Sequence, residues 1–290
     1  GNILELVKNP LSSYKPEEIA SQIHQFAFFL ASENQYHLLG ERFNEALKIF
    51  QKLQRERKHF IDDITQGVIT GEDSNVDISA MKTQMTKDDE SVASILLSSA
   101  RVKLDSGDIK TAKELIDNAD TLSRENTLTK AQILHLKAII EGLCGNTELS
   151  LPQIDDALRI IRLLKLEHSH DGIEINASKA ELLQRLGNVS EAKFIYCSLL
   201  EQINKDNSSL DVIASVSLNL AMLNLNEGHI EEADSHIESA LSAIKELYST
   251  EPDKHLPNLV TAKYIKGIVL MQREDIGSSI SILEEAKSLI

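Results

Sequence analysis

The sequence predicts an all-α fold assembled from antiparallel helix pairs, and three observations predict it. The 290 residues contain only 12 Gly, 5 Pro and 4% aromatic residues, with no Trp. Few turn residues beside many Ala, Leu, Ile, Glu and Lys favour helices over a sandwich or barrel. Hydrophobic residues at 42% and charged residues at 26% are enough for a core and exclude a wholly disordered chain. Finally, one 13-residue pattern recurs along the chain, and internal repetition on this scale marks stacked supersecondary units.

The clearest copy is GDIKTAKELIDNA, from Gly107 to Ala119. Related strings start at Gly145, Gly187 and Gly228, and two more, at Glu41 and Glu274, lack the glycine. They align without gaps. Five residues after the turn stand Ala46, Ala112, Ser150, Ala192, Ala233 and Ser279, all small. Four further on stand Phe50, Ile116, Ile154, Tyr196, Ile237 and Leu283, all large. Three further again stand Leu53, Ala119, Ala157, Leu199, Ala240 and Ala286. Seven residues before the turn stand Ala100, Ala138, Ala180, Ala221 and Gly267, whereas Asn34 breaks this column in the first unit. Two antiparallel helices approach closely only where side chains are small, with large neighbours filling the space beside the contact. The turn glycine ends the first helix in a left-handed conformation, and Asp108, Asn146 or Asn188 then caps the second.

Tyr14-Lys15-Pro16-Glu17-Glu18 opens the first helix, with Pro in a first turn where it is tolerated. Ser208 with Asp211, and Asp171 with Glu174, have capping-box spacing ahead of two later helices.

This pattern resembles the tetratricopeptide repeat (TPR) family over roughly residues 15–60 and 90–290. The resemblance implies a TPR-like α-solenoid, a right-handed superhelix of antiparallel helix pairs in which helix A lines a concave groove. Unit starts at Ala93, Ala131, Ile173, Ala214 and Val260 are spaced by 38, 42, 41 and 46 residues, longer than the family's usual repeat. The family's helix A aromatics and closing Pro are mostly missing. The expected organisation is an N-terminal pair within 1–60, an acidic flexible insertion over 61–92 and five repeats over 93–290. The insertion carries eight acids against Lys82 and Lys87, with room for a short helix. The chain stops inside an apolar helix B pattern, which suggests continuation beyond Ile290 or an end covered by a partner.

The groove positions implied by the resemblance are Leu97, Ser98 and Arg101; His135, Leu136 and Ile139; Ala177, Ser178 and Glu181; Leu218, Asn219 and Met222; and Tyr264, Ile265 and Ile268. Asn219 matches one position of the family's carboxylate clamp, but the lysines that clamp needs are absent around it. The apolar lining instead suits a partner helix or an extended peptide. The bland alternative is that these residues touch one another in a tightly wound superhelix.

Other chemistry is thin. There is no glycine-rich phosphate loop, Walker lysine motif or nucleophile elbow. His168-Ser169-His170-Asp171 reads as a polar loop with Asp171 as a cap, because no further ligand lies at metal spacing. His135 reads as a satisfied buried or groove histidine, and Cys144 and Cys197 as small core residues. Met222 and Met271 read as packing. The basic run 54–59 reads as charge at a helix C-terminus rather than a docking patch. Thr70, Ser74 and Thr86 each precede an acid by three residues, a weak signature of acid-directed phosphorylation.

Net charge is −15, from 30 basic and 45 acidic residues, which disfavours nucleic acid and anionic membranes and favours basic protein segments. Two cysteines and no visible signal peptide fit a cytoplasmic or nuclear location. The sequence reading is therefore a non-catalytic scaffold without cofactor or metal. It would be a subunit of a larger complex, holding a peptide or helix, basic in character, in its groove. The rival readings are a peptide-sensing regulator and the helical region of a larger enzyme.

Overall fold

The computed structural model describes residues 78–206 and 210–289, with Lys48, Arg55, Lys58, His59 and Asp62 as isolated positions before them. Ten helices run through this span: α1 (Ile78–Asp105), α2 (Ile109–Leu122), α3 (Leu128–Leu143), α4 (Thr147–Leu163), α5 (His170–Arg185), α6 (Val189–Asp206), α7 (Leu210–Glu227), α8 (Ile230–Thr250), α9 (Pro252–Gln272) and α10 (Ile276–Ser288). No strand occurs among the described residues. The expected first repeat, with Ala46, Phe50 and Leu53, lies outside them, as do Thr70, Ser74 and Ser208. The chain divides into two compact units, Gly1–Cys144 and Gly145–Ile290.

In the first unit α2 packs on α1, and α3 packs on both. Val92, Ile95, Ala100, Ala112, Ile116, Ala119, Ile133 and Ile140 form its core. Burying each isoleucine contributes about 1.5–3 kcal/mol relative to leaving it exposed. Residues 78–92, inside the stretch expected to be a flexible insertion, form the first half of α1. Their acids did not forbid a helix. Glu90 accepts a hydrogen bond from the backbone N–H of Arg124 at 2.8 Å, so one of those acids ties α1 to the α2–α3 connection. Thr86 is exposed on α1 and donates its hydroxyl to the carbonyl of Lys82.

In the second unit each helix packs on the next, from α4 to α10. Contacts also link α5 to α7 and α7 to α9, so these three A helices form one layer. The small-residue columns are all inward: Ala112, Ser150, Ala192, Ala233 and Ser279 are buried, as are Ala100, Ala138, Ala180, Ala221 and Gly267. The large column is equally deep, with Ile116, Ile154, Tyr196 and Ile237 at no more than 2% exposure, while Leu283 is half-buried.

The turns follow the same rule. Gly107, Gly145, Gly187 and Gly228 have φ between 79° and 85°. At Gly187 the paired bonds Gly187 N–H to Gln184 and Asn188 N–H to Leu183 close a Schellman motif. Glu274 replaces glycine in the last copy and still adopts φ 65°, with the same bonding pattern to Met271 and Leu270.

Capping is mixed. Asp108 accepts from Thr111 N–H as expected, and Asp275 caps α10 through Ser278 N–H. Asn146 holds the N-cap position of α4 without a side-chain cap bond. The cap of α5 is Ser169, which accepts from Gly172 N–H, and Asp171 falls inside the first turn. This corrects the expectation of Asp171 as cap: a hydroxyl two residues earlier takes the role, leaving Asp171 to face the positive end of the helix.

Candidate functional site

The A-helix layer of the second unit holds a concave site between α5 and α7. Along α5, His170, Glu174, Ala177, Ser178 and Glu181 recur at helical spacing and share one face. Asp211, Val212 and Ser215 from the start of α7 stand opposite, and together they line a half-open cavity of about 310 Å³. Two local devices set this wall. Ser169 fixes where α5 begins. Gly172 lets α5 approach the preceding loop, because a Cβ there would lie 2.3 Å from the carbonyl oxygen of Leu166.

The wall is acidic. Glu181 accepts from Arg185 at 2.6 Å, one turn along the same helix. His170 Nδ1 lies 3.8 Å from Glu174. Asp211 faces Nε2 of His255 at 3.8 Å, and His255 also faces Glu251 at 3.5 Å. The hydrogen bond and charge of Lys254 hold the Glu251 carboxyl below the usual carboxylate range.

The expected groove residues divide by exposure. In the first unit Leu97, His135 and Leu136 are buried, and Ser98, Arg101 and Ile139 are half-buried. Leu97 and Leu136 belong to the core cluster of that unit. In the second unit Ala177, Ser178 and Glu181 line the cavity. Leu218 and Met222 pack against the α7–α8–α9 core together with buried Ile265. Asn219 is half-buried and donates to the carbonyl of Ser215 at 3.1 Å. Ile268 is half-buried and Tyr264 is 57% exposed.

His170, Glu174, Asp211, Val212 and Ser215 were not anticipated as site residues. The signal existed: stepping back one and two turns from Ala177 and Ser178 along the same face reaches Glu174 and His170. Two expectations need correction. Cys144 and Cys197 are exposed, not core. Cys144 stands at the end of α3 beside the turn, and Cys197 follows buried Tyr196 on α6, which turns it outward. Met271 is 51% exposed near the end of α9 rather than packed. Among the described residues no three His, Cys, Asp or Glu side chains converge as metal ligands, and no helix is long and apolar enough to cross a membrane.

No family model and no curated protein matches this chain in sequence. Solved structures do match in fold, which is that of the TPR-like helical repeat proteins. BtubC (BKLC) from P. vanneervenii is 18% identical with a TM-score of 0.61, covering 83% of this chain and 90% of that one. A Podosopora anserina putative kinesin light chain with nearly identical TPR-like repeats is 14% identical with a TM-score of 0.50, covering 67% and 92%. The Rap conjugation gene regulator of plasmid pLS20, in complex with the Phr* peptide, is 14% identical with a TM-score of 0.52, covering 96% and 76%.

Proposed function

We propose that this chain is a non-catalytic protein-interaction scaffold that holds an extended peptide or partner helix against its A-helix layer, within a larger complex. The observation that carries this reading is the α5–α7 cavity, a preformed concavity of about 310 Å³ on the face formed by Ala177, Ser178 and Glu181. Small side chains on its wall, Ala177, Ser178 and Ser215, leave room for a guest. The net charge of −15 steers basic segments towards it.

A second reading, a peptide-sensing regulator, is favoured by the likeness to the Rap regulator solved with its Phr* peptide. Under it a short free peptide suffices for tight binding.

Ser215 is exposed, so Ser215→Trp fills the cavity from outside the core. In affinity purification from the native host, partners captured by the wild-type chain are expected to be lost from this variant at unchanged helicity and melting temperature. Retention of every partner by a folded Ser215→Trp chain removes the cavity from the binding face.

A further inference from the structure

We infer that the outer face of α10 is a second interaction surface, and that it receives an amphipathic α-helix of a partner protein which aims a lysine at Glu284 from between two apolar residues. This surface is separate from the A-helix layer. What covers the second helix of each earlier pair defines it. α2, α4, α6 and α8 are each packed by the helix that follows, α3, α5, α7 and α9 respectively. Among the described residues no helix covers α10 in that way.

The first observation is an apolar strip. Ile276, Ile280 and Leu283 stand at i, i+4 and i+7 and share one face of α10. Ile276 is 53% and Ile280 52% exposed. At the same register the covered helices hold Ile109, Thr147, Val189 and Ile230 for the first, all half-buried. For the second they hold Lys113, Leu151, Lys193 and Asp234, again all half-buried. Leu283 is half-buried where Ile116, Ile154, Tyr196 and Ile237 are buried. At all three positions α10 is more open than any covered helix.

The second observation is a charge register, and it says what the cover carries. Ten residues after the turn position stand Asp117 on α2, Asp155 on α4 and Glu238 on α8. Each pairs with a lysine on the following helix, eight residues before the next turn. The distances are 3.2 Å for Lys137 to Asp117, 2.8 Å for Lys179 to Asp155 and 2.5 Å for Lys266 to Glu238. At the remaining step α6 has Cys197 in place of the acid, and α7 has Leu220 in place of the lysine. Acid and lysine are therefore present together or absent together. Glu284 occupies the acid's position on α10. It is exposed, and no described residue pairs with it.

The lysines have apolar company on their own face, four residues before and three after. Ile133 and Ile140 flank Lys137, Ile175 and Leu182 flank Lys179, and Ala262 and Val269 flank Lys266, all of them buried. A helix with this apolar–lysine–apolar spacing buries the α10 strip and sets its register through Glu284. The described A helices of a second copy have no such face to offer. Lys137, Lys179 and Lys266 are engaged within their own chain, and α1 has Ser99 at the lysine's position. The occupant is a partner's helix.

The test is selection of helical peptides from a random display library on the full 290-residue chain, with counter-selection on Ile276→Asp/Ile280→Asp, both exposed positions. Surviving peptides are expected to carry a lysine four residues after one apolar residue and three before another. In calorimetric titration, norleucine in place of that lysine should weaken binding to wild type about fivefold or more. Glu284→Lys should abolish this norleucine penalty and prefer a peptide with glutamate in the lysine's place. Absence of any surviving peptide overturns the docking face and leaves the cavity reading standing. Survivors without the lysine, or a norleucine penalty that persists in Glu284→Lys, overturn the stated helix chemistry. A dimer in sedimentation velocity that wild type forms and Ile280→Asp does not assigns the face to a second copy and overturns the partner. If the double aspartate variant does not fold, Glu284→Lys, at an exposed position, serves for the counter-selection.

Discussion

Ser279 on α10 donates its hydroxyl to the carbonyl oxygen of Gly267 on α9 at 2.8 Å, inside the buried contact between these two helices. The glycine is needed there. A Cβ on Gly267 would lie 2.6 Å from Cδ2 of Leu283, the large residue one turn beyond Ser279. Gly267→Ala is therefore expected to lower stability by about 1–3 kcal/mol through overpacking, and Ser279→Ala by about 0.5–1.5 kcal/mol. Urea unfolding checks both. Adding Leu283→Ala to Gly267→Ala removes the clash, so the double variant should be less destabilised than the sum of the two.

Gly172 and Gly277 separate packing from propensity. A Cβ at Gly172 meets backbone oxygens of Leu166 and Glu167, which cannot move as a side chain tip can. Gly172→Ala should cost at least about 2 kcal/mol in the same assay. Gly277 lies within α10 with open space around it, so Gly277→Ala should stabilise by about 0.5–1 kcal/mol.

The turn positions predict opposite signs for opposite substitutions. Glu274→Gly relieves a left-handed glutamate and should raise stability by about 0.5–1 kcal/mol. Gly228→Ala forces a Cβ into the same conformation and should cost about 1 kcal/mol. Melting temperatures moving in the same direction for both would contradict this account of the turns.

These positions also show what the sequence disclosed. The alternation of small and large residues around Gly107, Gly187 and Gly228 was legible because burial and left-handed turns impose residue types directly. Glu274 could be placed only by its register with the glycine copies. Helix α1 was obscured over residues 78–92 because local charge density says little about a helix that is held by packing further along, at Val92 and Ile95. The site was half legible. The resemblance to the TPR family pointed to the face bearing Ala177, Ser178 and Glu181. It did not tell that Leu97, Leu136 and Ile265 sink into the packing, because depth between A helices depends on their spacing in three dimensions. Asp211 as a wall residue required knowing which end of α7 meets α5.

Asp120 gives a pH test. It accepts from Lys130 at 2.7 Å and from Lys137 at 2.8 Å. Burial pushes its carboxyl up, but the two lysine hydrogen bonds outweigh this and hold it below the ordinary aspartate value. A carboxyl depressed in the folded state stabilises above its unfolded pKa of about 3.9 and loses that contribution as pH falls through the folded value. Asp120→Asn should cost about 1–2 kcal/mol at pH 7. The gap to wild type should stay constant down to about pH 5 and narrow only below about pH 4. A gap that instead closes between pH 6 and 8 would contradict the pairing.

The central claim is that the A-helix layer is the face that holds a partner. Site-specific photocrosslinking in the native host tests it most directly, with a benzophenone amino acid placed at Ser178 or Ser215 on the cavity wall, or at Phe194, which is 74% exposed on α6. The account predicts a protein adduct from Ser178 and Ser215 and none from Phe194. Adducts from Phe194 with none from either serine would contradict it.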